Sequence, residues 1–464
     1  MSEKLVVPGL TEDETVTLNL LVEQLEQKAP RNELRSAYYD GRHIVNQVNG
    51  VIPPQYANLA LVLGWAAKGV DGLARRCTLE KFVWTNGDLD SVGMQELEDS
   101  NFLLSELTLA RTDSLLHGVS YAITTQGFEN EPKALVHAKD ALNATGDWNG
   151  RARRLENLLS VTARHEGKIT GFVLYLDNLT ISASKDSSGW EVERSPHKWG
   201  VPAEPLVYRP RTSRRMGRSR ITRPVMSIQD RAMTALMRLE AHMDLYAIPK
   251  MILLGADEAI FKNPDGSMKA AWQMIMGRTL GIPDSDDPQA INPRADVQQV
   301  SAESPEPHLA QLNAQAKMMA RETDLPDSDF ALTDMANPTS ADSYTASREN
   351  LISEAEGSMD DWSVPTRRTV TRALAIQNGL TEIPDEWRGI QPKWRSPVYL
   401  SRAQAADAGG KQLSAVDWLK DTEVGLELLG LDAQQIERAL AEKQRSTGRA
   451  VVTELLRRTS GDGA

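Results

Sequence analysis

The sequence predicts an α+β chain of 464 residues in which helices and antiparallel strands occupy separate stretches. Three observations predict it. The first hundred residues read as helical, in segments whose apolar positions fall three and four apart, the spacing of one helix face. From Val119 onward the chain breaks into short apolar runs separated by turn residues, with no helix between them. Further on, two amphipathic segments of similar length flank a compact insert.

Taken in order, Thr11 and Glu14 form a capping box ahead of Val16, Leu20 and Leu25. A second helix is expected from about Gln55 to Leu79, with Leu59, Val62, Ala66, Val70 and Leu73 on one face. A third is expected after Asp90, through Leu97, Leu104, Leu107 and Leu115 to His117-Gly118. Strands are expected at residues 119–125, 133–137, 160–165, 169–176, 179–184 and 190–194. Glu166-Gly167 and Asp186-Ser187-Ser188-Gly189 supply turns, so the strands read as one hairpin-rich antiparallel sheet.

Ser227 and Asp230 form a capping pair for a helix reaching Tyr246, with Ile228, Ala232, Ala235, Leu239, Met243 and Tyr246 as its stripe. Pro249 stops it. The insert holds strand-like residues 251–254 and 297–301, helical residues 268–276, and an acidic loop at 284–287. Ser304-Pro305 then opens a helix through Leu309, Leu312, Ala316 and Met319. Residues 324–338 are loop-like, Ser340 opens a long helix reaching Trp362, and residues 387–397 are an irregular link. The tail is helical, with capping pairs at Ser414/Asp417 and Asp432/Gln435. No internal repeat is evident.

Length suggests two to four structural units. Hydrophobic content of 41% and charged content of 25% suit a folded soluble protein. The single cysteine, Cys77, excludes an internal disulfide and any CxxC motif, and fits a reducing cytoplasm. The acidic N-terminal segment lacks a signal-peptide core. The longest apolar run, Leu59 to Ala67, is half of the roughly 18 residues a membrane span needs, so no membrane association is expected. A net charge of −12 argues against coating nucleic acid by bulk charge.

Against that acidity stand seven arginines within fifteen residues: Arg209, Arg211, Arg214, Arg215, Arg218, Arg220 and Arg223. Such a run suits an anionic partner or the anionic face of a neighbouring subunit; a solvated loop is the plain alternative. Catalytic patterns are absent. There is no GxxxxGK[ST], no GxSxG and no HExxH. The seven histidines lack ligand spacing, and His43 beside Asp40 reads as structural. Asp284, Asp286 and Asp287 read as a solvated turn rather than a Mg²⁺ site. Arg75 and Arg76 stand next to Cys77 and could lower its pKa, but no base accompanies it. No cofactor, metal or enzymatic activity is expected.

Four segments together resemble a known family. They are Tyr38-Tyr39-Asp40-Gly41-Arg42-His43 (YYxGxH); Pro205-Leu206-Val207 with Gly217-Arg218-Ser219 and Ile228-Gln229-Asp230 (PxV, GxS, LQD); Asn337-Pro338-Thr339-Ser340-Ala341-Asp342-Ser343 (NPxSAE); and Trp394-Arg395-Ser396-Pro397 followed by Ala403-Gln404-Ala405-Ala406-Asp407-Ala408. In this order they resemble the portal proteins of tailed bacteriophages, of the Gram-positive siphophage type found also in actinobacterial phages. The arginine run is denser than the family pattern requires.

The resemblance implies a portal-like fold. Residues 1–226 would form a wing of helices and antiparallel sheet. Residues 227–246 and 305–323 would be the two stem helices, and 247–304 a small α/β clip. Residues 324–339 would hold the tunnel loop, 340–400 a long helix returning to the wing, and 401–464 a helical crown. It also implies a ring, usually a dodecamer, at one capsid vertex: the channel for DNA packaging and ejection, and the docking site for terminase and head-tail adaptor. Partners would be other copies of the chain, loosely held double-stranded DNA, terminase, adaptor, major capsid and scaffold proteins. The protein would reside in the virion after assembly in the host cytoplasm. Asp327, Asp329, Phe330, Asp334, Met335 and Asn337 would face DNA. An acidic channel suits such a conduit, because many phosphate contacts would grip the duplex. The arginine run is then read three ways: intersubunit salt bridging, a solvated loop, or contact with DNA or scaffold. The other candidates are a nucleic-acid-processing enzyme and another structural virion component.

Overall fold

The structure, a computed structural model, describes residues 4–45, 61–246, 250–255, 263, 266–267, 279–283, 296–300, 304–330, 348–398, 401–432, 434–446 and 449. The chain divides into two compact units, Met1–Arg395 and Ser396–Ala464.

Helix α1 (Glu12–Tyr39) starts at the expected capping box, Thr11 with Glu14. Arg194 donates to both Glu14 carboxylate oxygens, at 2.8 and 2.6 Å. That pairing first, with the Thr11 amide, holds the Glu14 carboxyl down to about 2. The buried face is Leu18, Leu21, Val22 and Leu25, whereas Val16 and Leu20 are exposed. Both sets have helical spacing, and the wider apolar stripe takes the core.

The expected second helix is shorter: α2 runs Trp65–Ala74, and Leu79–Trp84 is a strand, β1. Residues 55–60 lie outside the described residues. The expected third helix is broken into α3 (Met94–Asn101) and α4 (Leu103–His117) at Phe102, whose φ is 49°. Asn101 accounts for the break. Its amide donates to the Ala134 carbonyl at 3.0 Å and its Oδ1 accepts from Val136 N–H at 2.8 Å. It thus pairs with a neighbouring strand as well as with its own helix.

The strands expected between residues 119 and 194 fall into two sheets, not one. The first has the order β3 (Ala134–Lys139), β2 (Val119–Gln126), β9 (Ala203–Val207), all antiparallel. The second is a meander of β4 (Ala144–Asn149), β5 (Arg154–His165), β6 (Lys168–Leu176), β7 (Leu179–Lys185) and β8 (Trp190–Pro196). Alternating residues serve two cores. Leu159, Leu174 and Phe172 pack with α1, while Leu158 and Tyr175 join Tyr121, Ile123 and Ala203 of the first sheet. Strands β4 and β9 lack an alternating apolar signature and are additions to the expected set.

Helix α5 (Arg223–Tyr246) begins four residues before the expected Ser227. Met226 N–H donates to the Thr222 carbonyl at 3.0 Å, so Thr222 opens the helix and Ser227 lies inside it. Then come β10 (Lys250–Gly255), β11 (Thr279–Pro283) and β12 (Asp296–Val300), in the order β11-β10-β12 with β10 and β11 parallel. Strand β11 is a further addition; residues 268–276 and 284–287 lie outside the described residues. Helix α6 (Glu306–Thr323) returns and packs on α5. At 1.5 Å per residue α5 is about 36 Å long and α6 about 27 Å.

Helix α7 (Glu349–Gln377) extends past the expected end at Trp362. Residues 340–347 lie outside the described residues. The expected irregular link contains β13 (Ile390–Trp394), paired antiparallel with β1. Helices α2, α4, α5, α6 and α7 meet in one core around Val70, Leu115, Ala232, Met319 and Trp362.

The second unit holds α8 (Arg402–Ala415) and α9 (Glu423–Leu428), with residues 434–446 also helical. Ser401 with Gln404 forms the capping box of α8, and Ser414 lies within that helix, not at a cap. Asp432 and Gln435 do cap reciprocally, at 3.2 and 2.8 Å. Among the described residues no helix is long and apolar enough to cross a membrane.

Candidate functional site: the arginine segment and the helix junction

Between β9 and α5 the chain folds back on the end of α4. Tyr208 N–H donates to the Gly118 carbonyl at 3.0 Å, and Arg218 N–H to the Tyr208 carbonyl at 3.0 Å. Arg220 N–H reaches the Leu115 carbonyl at 2.8 Å, and Ser219 Oγ donates to the Leu116 carbonyl at 2.6 Å. Gly118 and Gly217 both have positive φ, 105° and 59°. Gly217 is a glycine because a Cβ there would lie 2.3 Å from the Tyr208 carbonyl oxygen.

This path separates the seven arginines by environment. Arg220 is 7% exposed, so it is not a contact for DNA or a neighbouring subunit. Its Nε donates to the Gly69 carbonyl at 2.6 Å, its Nη1 to Tyr208 Oη at 3.0 Å, and its Nη2 to the Thr323 carbonyl. It therefore binds α2, the residue after β9 and the end of α6 together. Arg209 pairs with Glu354 of α7, whose other oxygen accepts from Tyr208 Oη at 2.6 Å. Partnered within its own chain, Arg209 is not a free surface charge. Arg211 and Arg214 close a tight turn through reciprocal backbone bonds of 3.1 and 2.9 Å. Arg211, Arg214, Arg215 and Arg223 are exposed and Arg218 is half-buried.

Two sequence motifs that lie far apart along the chain meet in space. Tyr38 Oη donates to Asp230 at 2.8 Å, and His43 Nε2 stands 3.3 Å from the same carboxylate while stacking on Tyr38 at 4.0 Å. Gln229 Oε1 accepts from Ala66 N–H at 2.8 Å. The carboxylate beside His43 is therefore Asp230, and Asp40 pairs with Arg42 instead. These contacts fasten the start of α5 to the ends of α1 and α2, a structural role.

Of the residues expected to face DNA, Asp327 is exposed and Asp329 stands 3.9 Å from Lys68. Phe330 is 7% exposed and packs edge-on against Trp65, ring centroids 5.8 Å apart. Hydrophobic burial anchors it in the core, so its ring is not presented to a duplex. Asp334, Met335 and Asn337 lie outside the described residues.

Other titratable groups are placed by packing. Burial pushes the Cys77 thiol up to about 12, against the smaller opposing pull of Arg111 and Arg220, which corrects the expectation of a lowered value from Arg75 and Arg76. Native protein should therefore leave Ellman's reagent unreacted, and denatured protein should release one thiolate equivalent per chain. Asp113 on α4 is pushed up to about 7, by burial first and by Asp140 second. Between its ordinary 3.8 and about 7 the folded chain holds a proton that the unfolded chain releases. This site's contribution to stability is full below 3.8 and is lost as pH rises to about 7. Asp113→Asn should stabilise by about 1–3 kcal/mol at pH 8, after allowing for solvent screening, and far less at pH 4, read as Tm by calorimetry. Among the described residues no group of three or more His, Cys, Asp or Glu could hold a metal ion.

The chain is similar to the portal proteins of Mycobacterium phage D29 and Mycobacterium phage L5. Each is 25% identical, over 421 and 418 residues, covering 88% and 87% of this chain and 83% and 84% of theirs. Chains in the solved structures "Neck of native GTA particle computed with C12 symmetry" and "Virion of native gene transfer agent (GTA) particle" show a distant likeness. They are 14% and 13% identical, with TM-scores of 0.42 and 0.41, over 79% of this chain and 89% of theirs. The family model described as "Phage portal protein, SPP1 Gp6-like" matches residues 18–449, and the chain belongs to that family.

Proposed function

We propose that twelve copies of this chain close into a ring at one capsid vertex and that DNA enters and leaves the particle through its centre. The observation that carries the reading is the family match over residues 18–449. The helix pair supports it. Helices α5 and α6 bury Ala232, Ala235, Ala316 and Met319, while Met243 and Met318 remain 45% and 43% exposed. Apolar side chains left outside such a pair suit a flanking copy in a cyclic assembly.

In this reading residues 1–226 form the wing, α5 and α6 the stem, 247–304 the clip that meets adaptor and terminase, 340–400 the return to the wing, and 401–464 the crown. The segment 324–339 supplies the channel loop, with Asp327 and the acidic residues near it repelling phosphates so that the duplex slides. The role is structural, and the energy of packaging comes from a separate motor. Assembly takes place in the host cytoplasm with capsid and scaffold proteins. Quantitative mass spectrometry of purified virions tests this: about twelve chains per particle are expected for one cyclic ring. Hundreds of copies per particle would instead mark a shell subunit, and none would remove the chain from the virion.

A further inference from the structure

A cleft of about 220 Å³ lies where α1, the end of α4 and the arginine turn converge. It is lined by Lys28, Arg31, Arg35, Arg214 and Arg218, and by His117. Five cations in one recess of a chain with net charge −12 need a counter-charge. Among the described residues, no carboxylate forms an ion pair with any of the five.

The hydrogen bonds they do make go to neutral acceptors. Lys28 Nζ donates to Gln24 Oε1 at 2.8 Å and Thr145 Oγ1 at 3.2 Å. Arg35 Nη1 donates to Asn32 Oδ1 at 3.1 Å and the His117 carbonyl at 3.0 Å. Two buried nitrogens at the cleft, Arg35 Nε and His117 Nδ1, have no partner among the described residues. Burial first, and then Arg31 and Arg214, lower the Arg35 guanidinium to about 10. Asp147 acts on Lys28, and Asp140 and Asp40 on His117, but none closes a pair with the cluster.

We propose that this cleft receives carboxylate side chains from a neighbouring copy of the same chain, an inference that rests on the ring proposed above. Each copy carries more acid than base, so a neighbour can supply the missing charge. The partial burial of Arg35 favours side chains over a duplex. Arg35 is recessed, and a phosphate backbone could touch the exposed Arg211, Arg214 and Arg215 without reaching it. Desolvated guanidinium–carboxylate pairs repeated around a ring count for far more than isolated surface pairs.

Arg31→Glu with Arg214→Glu tests this, because both side chains are exposed and reversing them should not harm the fold. Assembly mass is measured by light scattering for both proteins across a salt series, with duplex-DNA affinity and melting temperature alongside. The wild type should remain assembled to at least about twofold higher salt than the variant, with the monomer's melting temperature unchanged or raised. A wild type that assembles and a variant that matches it at every salt would overturn the cleft but leave the ring standing. Unchanged assembly with weakened DNA binding would assign the cleft to phosphate and likewise overturn it. A wild type that never assembles, even when capsid and scaffold proteins are co-expressed, would remove the ring and this inference together.

Discussion

Gly217→Val is expected to prevent the first unit from reaching its native fold. The residue sits at φ 59°, a region that L side chains enter at a cost of about 1–2 kcal/mol. The larger penalty is steric. A Cβ would stand 2.3 Å from the Tyr208 carbonyl oxygen and 2.6 Å from that of Gly118. Neither atom can retreat, since the Gly118 carbonyl accepts from Tyr208 N–H and the Tyr208 carbonyl from Arg218 N–H. Moving them would open the junction through which Arg220 is placed. A loss above about 4 kcal/mol follows, seen as insoluble protein or loss of the cooperative melt. Gly150 is the control: a Cβ there would meet nothing within 4 Å, and Gly150→Ala should melt like the wild type.

Arg220→Met should cost about 3–5 kcal/mol, read from urea denaturation as a lower midpoint with an unchanged slope. The substitution keeps most of the side-chain volume but leaves the Gly69 and Thr323 carbonyls and Tyr208 Oη without their donor. Arg220→Lys should recover only part of the loss, because one ammonium cannot reproduce the planar fork that spans three elements. A change under about 1 kcal/mol for Arg220→Met would mean that the guanidinium contributes little to holding α2 and α6 together.

Features with local signatures were legible in the sequence. The Thr11/Glu14 and Asp432/Gln435 caps, the glycine at the end of α4 and the hairpin strands β6 to β8 each depend on residues a few positions apart. Features set by distant partners were not. Strand β1 needs β13, and the break at Phe102 needs the edge of β3 to satisfy Asn101. The arginine run shows the same limit within one composition. Arg214 and Arg220 look alike in sequence, yet one is exposed and the other buried, because only the folded chain brings Gly69 and Thr323 within reach of Arg220. Phe330 misled for a related reason: an aromatic in an acidic loop suggests a tip, whereas Trp65 gives it a core to enter. The motif segments carried the family, and the fold supplies a reason for two of them, since the Tyr38–His43 segment and Gln229-Asp230 belong to one contact network.

The central claim, that this chain closes into a ring with a channel, is tested most directly by electron microscopy of the purified protein with its mass in solution. Closed rings of about twelve subunits around a central hole are the result expected here. A monodisperse monomer at every protein and salt concentration, unchanged when capsid and scaffold proteins are co-expressed, would contradict it.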